Sequence, residues 1–302
     1  ILILRMQTRI SNQYAVEKYK GNFIEDILLN NIKKESEIHN RAALYNWDFH
    51  NGGVVVTVDI NNLKQNFMEK LDSHTNRRLE KLTEEIFALA IQEFQRSFVS
   101  ANYMKQSDLI SFIISVPQAE RSDLAAKLRE IFGRIQQKLK QISPFTITIG
   151  VGNYYDNIAD VHKSYAESRI SINLGYTLRW FDRILFYRDM GLYRMLTPIA
   201  ANPETQDFCE RFLKPLEDYD RENGRELMDT LQEIVQCGWN LKKASENLFL
   251  HYNSMKYRYS KICTVMNLDF DDHANRLMTE IAMVVYMMNR RQIPDVKQYS
   301  LP

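Results

Sequence analysis

Cysteine is scarce: Cys209, Cys237 and Cys263 stand far apart, with no CxxC pair and no histidine partner at ligand spacing. That excludes a disulfide scaffold and a structural zinc site, and predicts reduced thiols in a cytoplasmic protein. Long apolar runs are missing as well. The longest candidate, residues 281–288, falls far short of the ~20 residues a membrane-spanning helix needs, so no membrane partner is expected. The opening ILIL has neither a basic flank nor a small-residue cleavage site, which excludes a signal peptide; without an initiating Met, it reads as a cut inside a longer protein. An excess of one charge is also lacking, with 39 Lys+Arg against 38 Asp+Glu. Any electrostatic footprint must therefore be local.

What is present is enough for two domains, each with its own core, in 302 residues that are 45% hydrophobic and 25% charged. Residues 1–50 read as helical, with one stripe of Phe23, Ile24, Ile27 and Leu28 and another of Ile38, Ala42 and Tyr45. Ile3, Met6 and Ile10 begin a coiled-coil seam that Gln13 and Glu17 do not continue, so packing on the next domain is expected in preference to dimerisation. Over residues 51–187 the period changes. Strands at 54–60, 98–104, 109–116 and 145–151 and helices at 74–96 and 122–141 spell β-α-β-β-α-β, a ferredoxin-like unit with helices covering one sheet face. A helix over 158–174 is expected to end at Gly175, and a last strand to run through 179–187. Residues 188–223 read as a helical connector punctuated by Pro198, Pro203 and Pro215; residues 224–292 read as a helical domain, and 293–302 as a tail. The fold class is thus α+β followed by all-α, without internal repeats.

The most informative stretch is 240–266, NLKKASENLFLHYNSMKYRYSKICTVM. Asn240 can cap a first helix striped by Leu241, Ala244 and Leu248, and Asn253 or Ser254 a second. Met255, Tyr259, Ile262 and Met266 make one buried face of that second helix; Ser254, Tyr257, Arg258 and Lys261 fall on the other. Lys242, Lys243, Lys256, Arg258 and Lys261 stand against the single acid Glu246, which concentrates positive charge here. Such a helix after a tight turn suits the DNA major groove, where phosphates need cations and base edges need donors; a helical hairpin with a basic solvated face shares the pattern. His251 either sets the turn or donates to a phosphate, and Tyr257 either packs on the first helix or touches a thymine methyl. Downstream, Asp269, Asp271 and Asp272 supply too few ligands for a cation loop and are read as caps of an apolar helix over 275–288, which is either the centre of its domain or a subunit contact.

Asn240-Leu241, Ala244, Leu248, His251, Asn253-Ser254-Met255-Lys256-Tyr257-Arg258 and Ile262 closely resemble the C-terminal helix-turn-helix of PucR/CdaR-type bacterial transcriptional regulators. GLYRML at 191–196, PLEDYD at 215–220, NGRELMDTL at 223–231 and LDFDD at 268–272 continue the resemblance; Tyr252 replaces that family's usual Arg. The middle domain resembles a GGDEF (diguanylate cyclase) fold, with Asp59-Ile60-Asn61-Asn62-Leu63-Lys64 at the place of "DxDxFK" and Gln106-Ser107-Asp108-Leu109-Ile110 at that of "GGDEF". The departures fall on the chemistry. Asn61 replaces an acid, Gln106 and Ser107 replace both glycines, and Leu109 cannot ligate a metal. Asp59 and Asp108 survive as candidate metal ligands, though hairpin-end acids are commonly just solvated; no metal site, catalytic residue or cofactor is expected.

The resemblance implies a DNA-binding regulator of a metabolic operon with a catalytically dead cyclase-like domain in a sensing or relay role. It also implies an upstream sensory domain, a homodimer, RNA polymerase contact and control by a small-molecule effector. The DNA-binding candidates are Lys242, Lys243, His251, Asn253, Ser254, Lys256, Tyr257, Arg258 and Lys261. Two alternatives are an enzyme of cyclic-dinucleotide or nucleotide signalling, opposed by Leu109, Gln106 and Ser107, and a scaffold whose basic helix binds protein, which would expose apolar anchors there.

Overall fold

The computed structural model describes residues 16, 18–61, 63, 73–224 and 226–290. The described residues fall into two compact units, the first ending at Met190 and the second beginning at Gly191. The Ile3/Met6/Ile10 seam and the 293–302 tail lie outside the described residues.

The first unit is built on a sheet of β1 (Val54–Ile60), β2 (Ser100–Lys105), β3 (Leu109–Ser115), β4 (Ile147–Val151) and β5 (Ile184–Phe186). Their order is β2-β3-β1-β4-β5, antiparallel except for the β4–β5 pair. Strands β1 to β4 with α3 (Ser73–Ser97) and α4 (Leu124–Ile142) realise the expected β-α-β-β-α-β order. The last strand is shorter than expected because Arg179 and Asp182 adopt left-handed φ values of 55° and 54°, which interrupt extended pairing. Helix α5 (Val161–Thr177) runs through Gly175, and the left-handed residue beyond it is Arg179.

Side chains alternate along each strand, so the sheet has two unlike faces. Val54, Val56, Val58, Ile60, Ile110, Phe112, Ile114, Ile147, Ile149 and Val151 form the apolar face, closed by α3 and α4. The opposite face is covered too, which corrects the one-sided expectation: α1 (residues 18–28), α2 (Glu35–Ala43) and α5 lie there. Phe23, Ile24, Ile27, Leu28 and Ile38 pack with Val55, Ile113, Val161 and Tyr165 in this second core. Periodicity missed this role for α5 because its sheet-facing positions are small and polar. A Cβ on Gly150 would sit 2.1 Å from the Ser168 carbonyl oxygen, and one on Gly152 2.2 Å from that of Ser164. Backbones this close are tied by hydroxyls: Ser164 Oγ accepts from Val55 N at 2.8 Å, and Ser168 Oγ meets Thr57 Oγ1 at 2.8 Å. Thr57 Oγ1 also meets Ser111 Oγ at 3.0 Å.

On the apolar side a carboxylate is buried. Glu93 of α3 takes Arg134 Nε at 2.8 Å and Lys138 Nζ at 2.6 Å from α4. These two cations hold its carboxyl below the usual 4.5, Lys138 most strongly.

The second unit comprises α6 (Leu192–Ala200), α7 (Pro203–Asn223), α8 (Leu227–Gln236), α9 (Leu241–Asn247), α10 (Tyr252–Met266) and α11 (His273–Arg290). Both α6 and α7 pack on α11, so the segment read as a connector forms part of this unit's body. Buried Thr279 and Ala282 to Met288 make α11 the apolar centre. Asp272 Oδ1 accepts from Ala274 N at 2.9 Å and Asp269 Oδ1 from Asp271 N at 2.8 Å, which is capping chemistry.

Two outcomes test this packing. Gly150→Ala must push α5 off the sheet and should cost about 1–3 kcal/mol or more of unfolding free energy in urea titration. Glu93→Gln should also destabilise. The contribution of Glu93 is fully present above the ordinary glutamate range and fades as pH falls through its lowered folded-state value. The gap between wild type and variant should therefore be widest near neutrality and shrink under acid, read from urea midpoints across pH.

Candidate nucleic-acid interface

Helices α9 and α10 are held at a fixed angle by local devices. Asn240 caps α9, its Oδ1 accepting from Lys243 N at 3.0 Å. After Leu248 the chain reverses through Phe249, whose φ of 53° is left-handed for a bulky residue. Leu250 N then reaches Ser245 O at 2.9 Å, which closes the end of α9. The cap of α10 is His251, whose Nδ1 accepts from Asn253 N at 3.3 Å. Asn253 and Ser254, expected as caps, both lie inside the first turn. His251 thus performs the turn-setting role.

Met255, Ile262 and Met266 bury one side of α10. Tyr259 is half-buried, its ring 6.1 Å from that of Phe270. Phe270 also meets Trp239 at 4.9 Å, and the Trp239 indole donates to Glu280 Oε1 at 2.6 Å. These aromatics anchor the pair to α11.

Of the candidate DNA contacts, Lys242, Lys243, His251, Asn253, Ser254, Lys256 and Tyr257 are exposed. Arg258 and Lys261 are half-buried instead. Arg258 Nη1 donates to Thr230 Oγ1 of α8 at 3.0 Å and stands 4.0 Å from Glu226 Oε2. Lys261 Nζ lies 5.0 Å from the ring centre of Tyr219 on α7. The outward grouping of Ser254, Tyr257, Arg258 and Lys261 therefore needs correction. At ~100° per residue, Arg258 falls only about 60° from the Met255 line, on the flank of the buried face. The same wheel places Ser260 outward, where it is exposed, a position absent from the expected grouping.

None of the three cysteines is paired. Burial, then the Glu233 carboxylate, pushes the Cys237 thiol up to about 11, and burial raises Cys209 and Cys263 as well. High thiol values disfavour the reactive thiolate.

In the first unit, Asp59 pairs in register with Leu109, beside Asp108. Both acids are buried, and Asp108 Oδ1 accepts from Ser107 Oγ at 2.9 Å. Asn61 is committed to β4 and its approach: its amide donates to Thr146 Oγ1 and its Oδ1 accepts from Thr148 Oγ1, both at 2.8 Å. Leu109 is buried in the sheet. Among the described residues no three His, Cys, Asp or Glu side chains gather as a metal site.

Residues 30–174 match the family model of a GGDEF-like domain, and residues 227–285 that of the PucR C-terminal helix-turn-helix domain. The proline-responsive transcriptional activator PutR of Bacillus subtilis (strain 168) is 22% identical over 298 residues, covering 86% of this chain and 72% of that protein. The DNA-binding transcriptional activator AdeR of the same organism is 25% identical over 124 residues, covering 41% of this chain and 29% of AdeR. The carbohydrate diacid regulator of Escherichia coli (strain K12) is 24% identical over 153 residues, covering 50% of this chain and 39% of that regulator. Among the described residues no helix is long and apolar enough to cross a membrane.

Removing either cap tests how this pair is held. Asn240→Ala should lower stability by about 1 kcal/mol, and His251→Ala by a similar or smaller amount, in chemical denaturation of the whole chain.

Proposed function

We propose that this chain, which belongs to the PucR/CdaR-type bacterial transcriptional regulators, binds specific operator sequences through α9 and α10 and regulates a metabolic operon. The observation that carries this reading is the surface of α10. Its N-terminal half exposes Asn253, Ser254, Lys256 and Tyr257 directly after the turn, beside exposed Lys242 and Lys243 of α9. Donors at the start of a helix can enter the major groove, while the lysines meet phosphate.

In this reading the GGDEF-like domain relays or senses a signal and has no cyclase activity. Leu109 stands where a metal-ligating acid would be needed, and Asn61 is tied into the sheet. The naming of one relative as proline-responsive supports a small-molecule effector here. A single helix-turn-helix makes few base contacts, so two copies reading half-sites about 34 Å apart complete the proposal, together with RNA polymerase contact in the cytoplasm.

Selection from random duplex DNA should enrich one motif, repeated at about one helical turn; a pool that never departs from random would overturn the reading. Incubation with GTP and Mg²⁺ should yield no cyclic dinucleotide above a protein-free blank, and steady turnover would restore an enzymatic role.

A further inference from the structure

Arg258 looks on paper like the best base reader of α10, because a guanidinium offers a planar fork of donors to guanine. The structure uses that fork elsewhere. Nη1 donates to Thr230 Oγ1 at 3.0 Å, and Thr230 Oγ1 in turn donates to the Glu226 carbonyl oxygen at 2.7 Å. Thr230 is wholly buried, and with its proton given to the Glu226 carbonyl its hydroxyl oxygen meets Arg258 as an acceptor. Glu226 Oε2 at 4.0 Å adds an acid on the same side. The start of α8 is itself fixed, because Asp220 accepts from Leu227 N at 2.9 Å and from Met228 N at 2.8 Å. Arg258 therefore links α10 to a helix start that is already anchored on α7.

Diametrically opposite Met255 and Ile262 runs a different line. Asn253, Tyr257 and Ser260 succeed one another at i, i+4 and i+7, and all three are exposed. Thr264 would be next, but its hydroxyl donates back to the Ser260 carbonyl at 3.0 Å and so is turned into the helix backbone. We infer that Arg258 is a positioning residue that sets the angle of α10 through Thr230, and that bases are read by Asn253, Tyr257 and Ser260. This inference rests on the DNA-binding reading above.

The test uses the whole chain and the duplex obtained by selection, titrated by fluorescence anisotropy against that duplex, its single-base variants and a scrambled control at several salt concentrations. Tyr257→Ala and Ser260→Ala should each lose roughly tenfold or more on the selected duplex and relax preference at one base pair. Arg258→Ala should weaken the selected duplex evenly across base positions and leave the salt slope unchanged. Thr230→Val, which keeps shape but removes the acceptor, should reproduce that loss, and the double variant should be no worse than either single one. Melting curves confirm that each variant is folded at the assay temperature, with Arg258→Lys replacing Arg258→Ala if that variant is not. The assignment is overturned if Arg258→Ala lowers the salt slope by about one unit or relaxes a single base pair while Thr230→Val is silent. It is also overturned if Ser260→Ala and Tyr257→Ala bind like wild type. A wild type that binds no duplex would sink the DNA-binding reading and this assignment with it, whereas the preceding outcomes sink the assignment alone.

Discussion

Helix α5 can lie against the sheet only because neither surface carries bulk where the two meet. Gly150 and Gly152 leave no Cβ, and Ser164 and Ser168 present hydroxyls to Val55 N and Thr57. Hydroxyls at this distance satisfy buried polar groups that a larger apolar residue would force apart. The seam also determines what else can pack on that face, since α1 and α2 fill the space beside α5 with Phe23, Ile24 and Ile27. A conventional oily face, closed by α3 and α4, forms the other half of the unit. Polar ties on one side and apolar burial on the other thus divide the work of holding a single sheet.

The hairpin of the GGDEF-like domain keeps two acids while the positions around them serve the sheet. Asp59 still sits at the end of β1 beside Asp108. Around them the residues have been turned to structural use: Asn61 ties the chain to Thr146 and Thr148, and Leu109 is part of the sheet interior. A divalent cation in such a place needs several oxygen ligands, and the amide and the leucine supply no charge.

The second unit has a different task, which is to hold a short helix at a definite angle. Its α9 has only 7 residues and could not persist alone. Capping by Asn240, the left-handed Phe249 and the His251 cap restrict its geometry, and Trp239 and Phe270 fasten the pair to α11. Bulky Phe249 in a conformation that favours glycine carries a local cost of about 1 kcal/mol or more, offset by the rest of the turn. Arg258 adds a tie to α8, so a side chain of α10 itself contributes to the placement of that helix.

Local pattern was sufficient for much of this. The run Val54–Ile60, the strand pattern over residues 145–151 and the stripes of α3 and α4 specify strands and helices because each repeats the geometry of its own element. The order of those elements then implied the sheet, and the composition of 240–266 implied a basic helical pair. Three matters escaped it. Helix α5 carries its sheet-facing positions in serines, which a hydrophobic period does not register. The place of α6 and α7 depends on contacts with α11, which is far away in sequence. The direction of Arg258 depends on Thr230, 28 residues earlier. Periodicity reports which residues an element turns inward, because helix and strand geometry are properties of the local chain. What a polar side chain finds when it gets there is decided only when the other elements arrive.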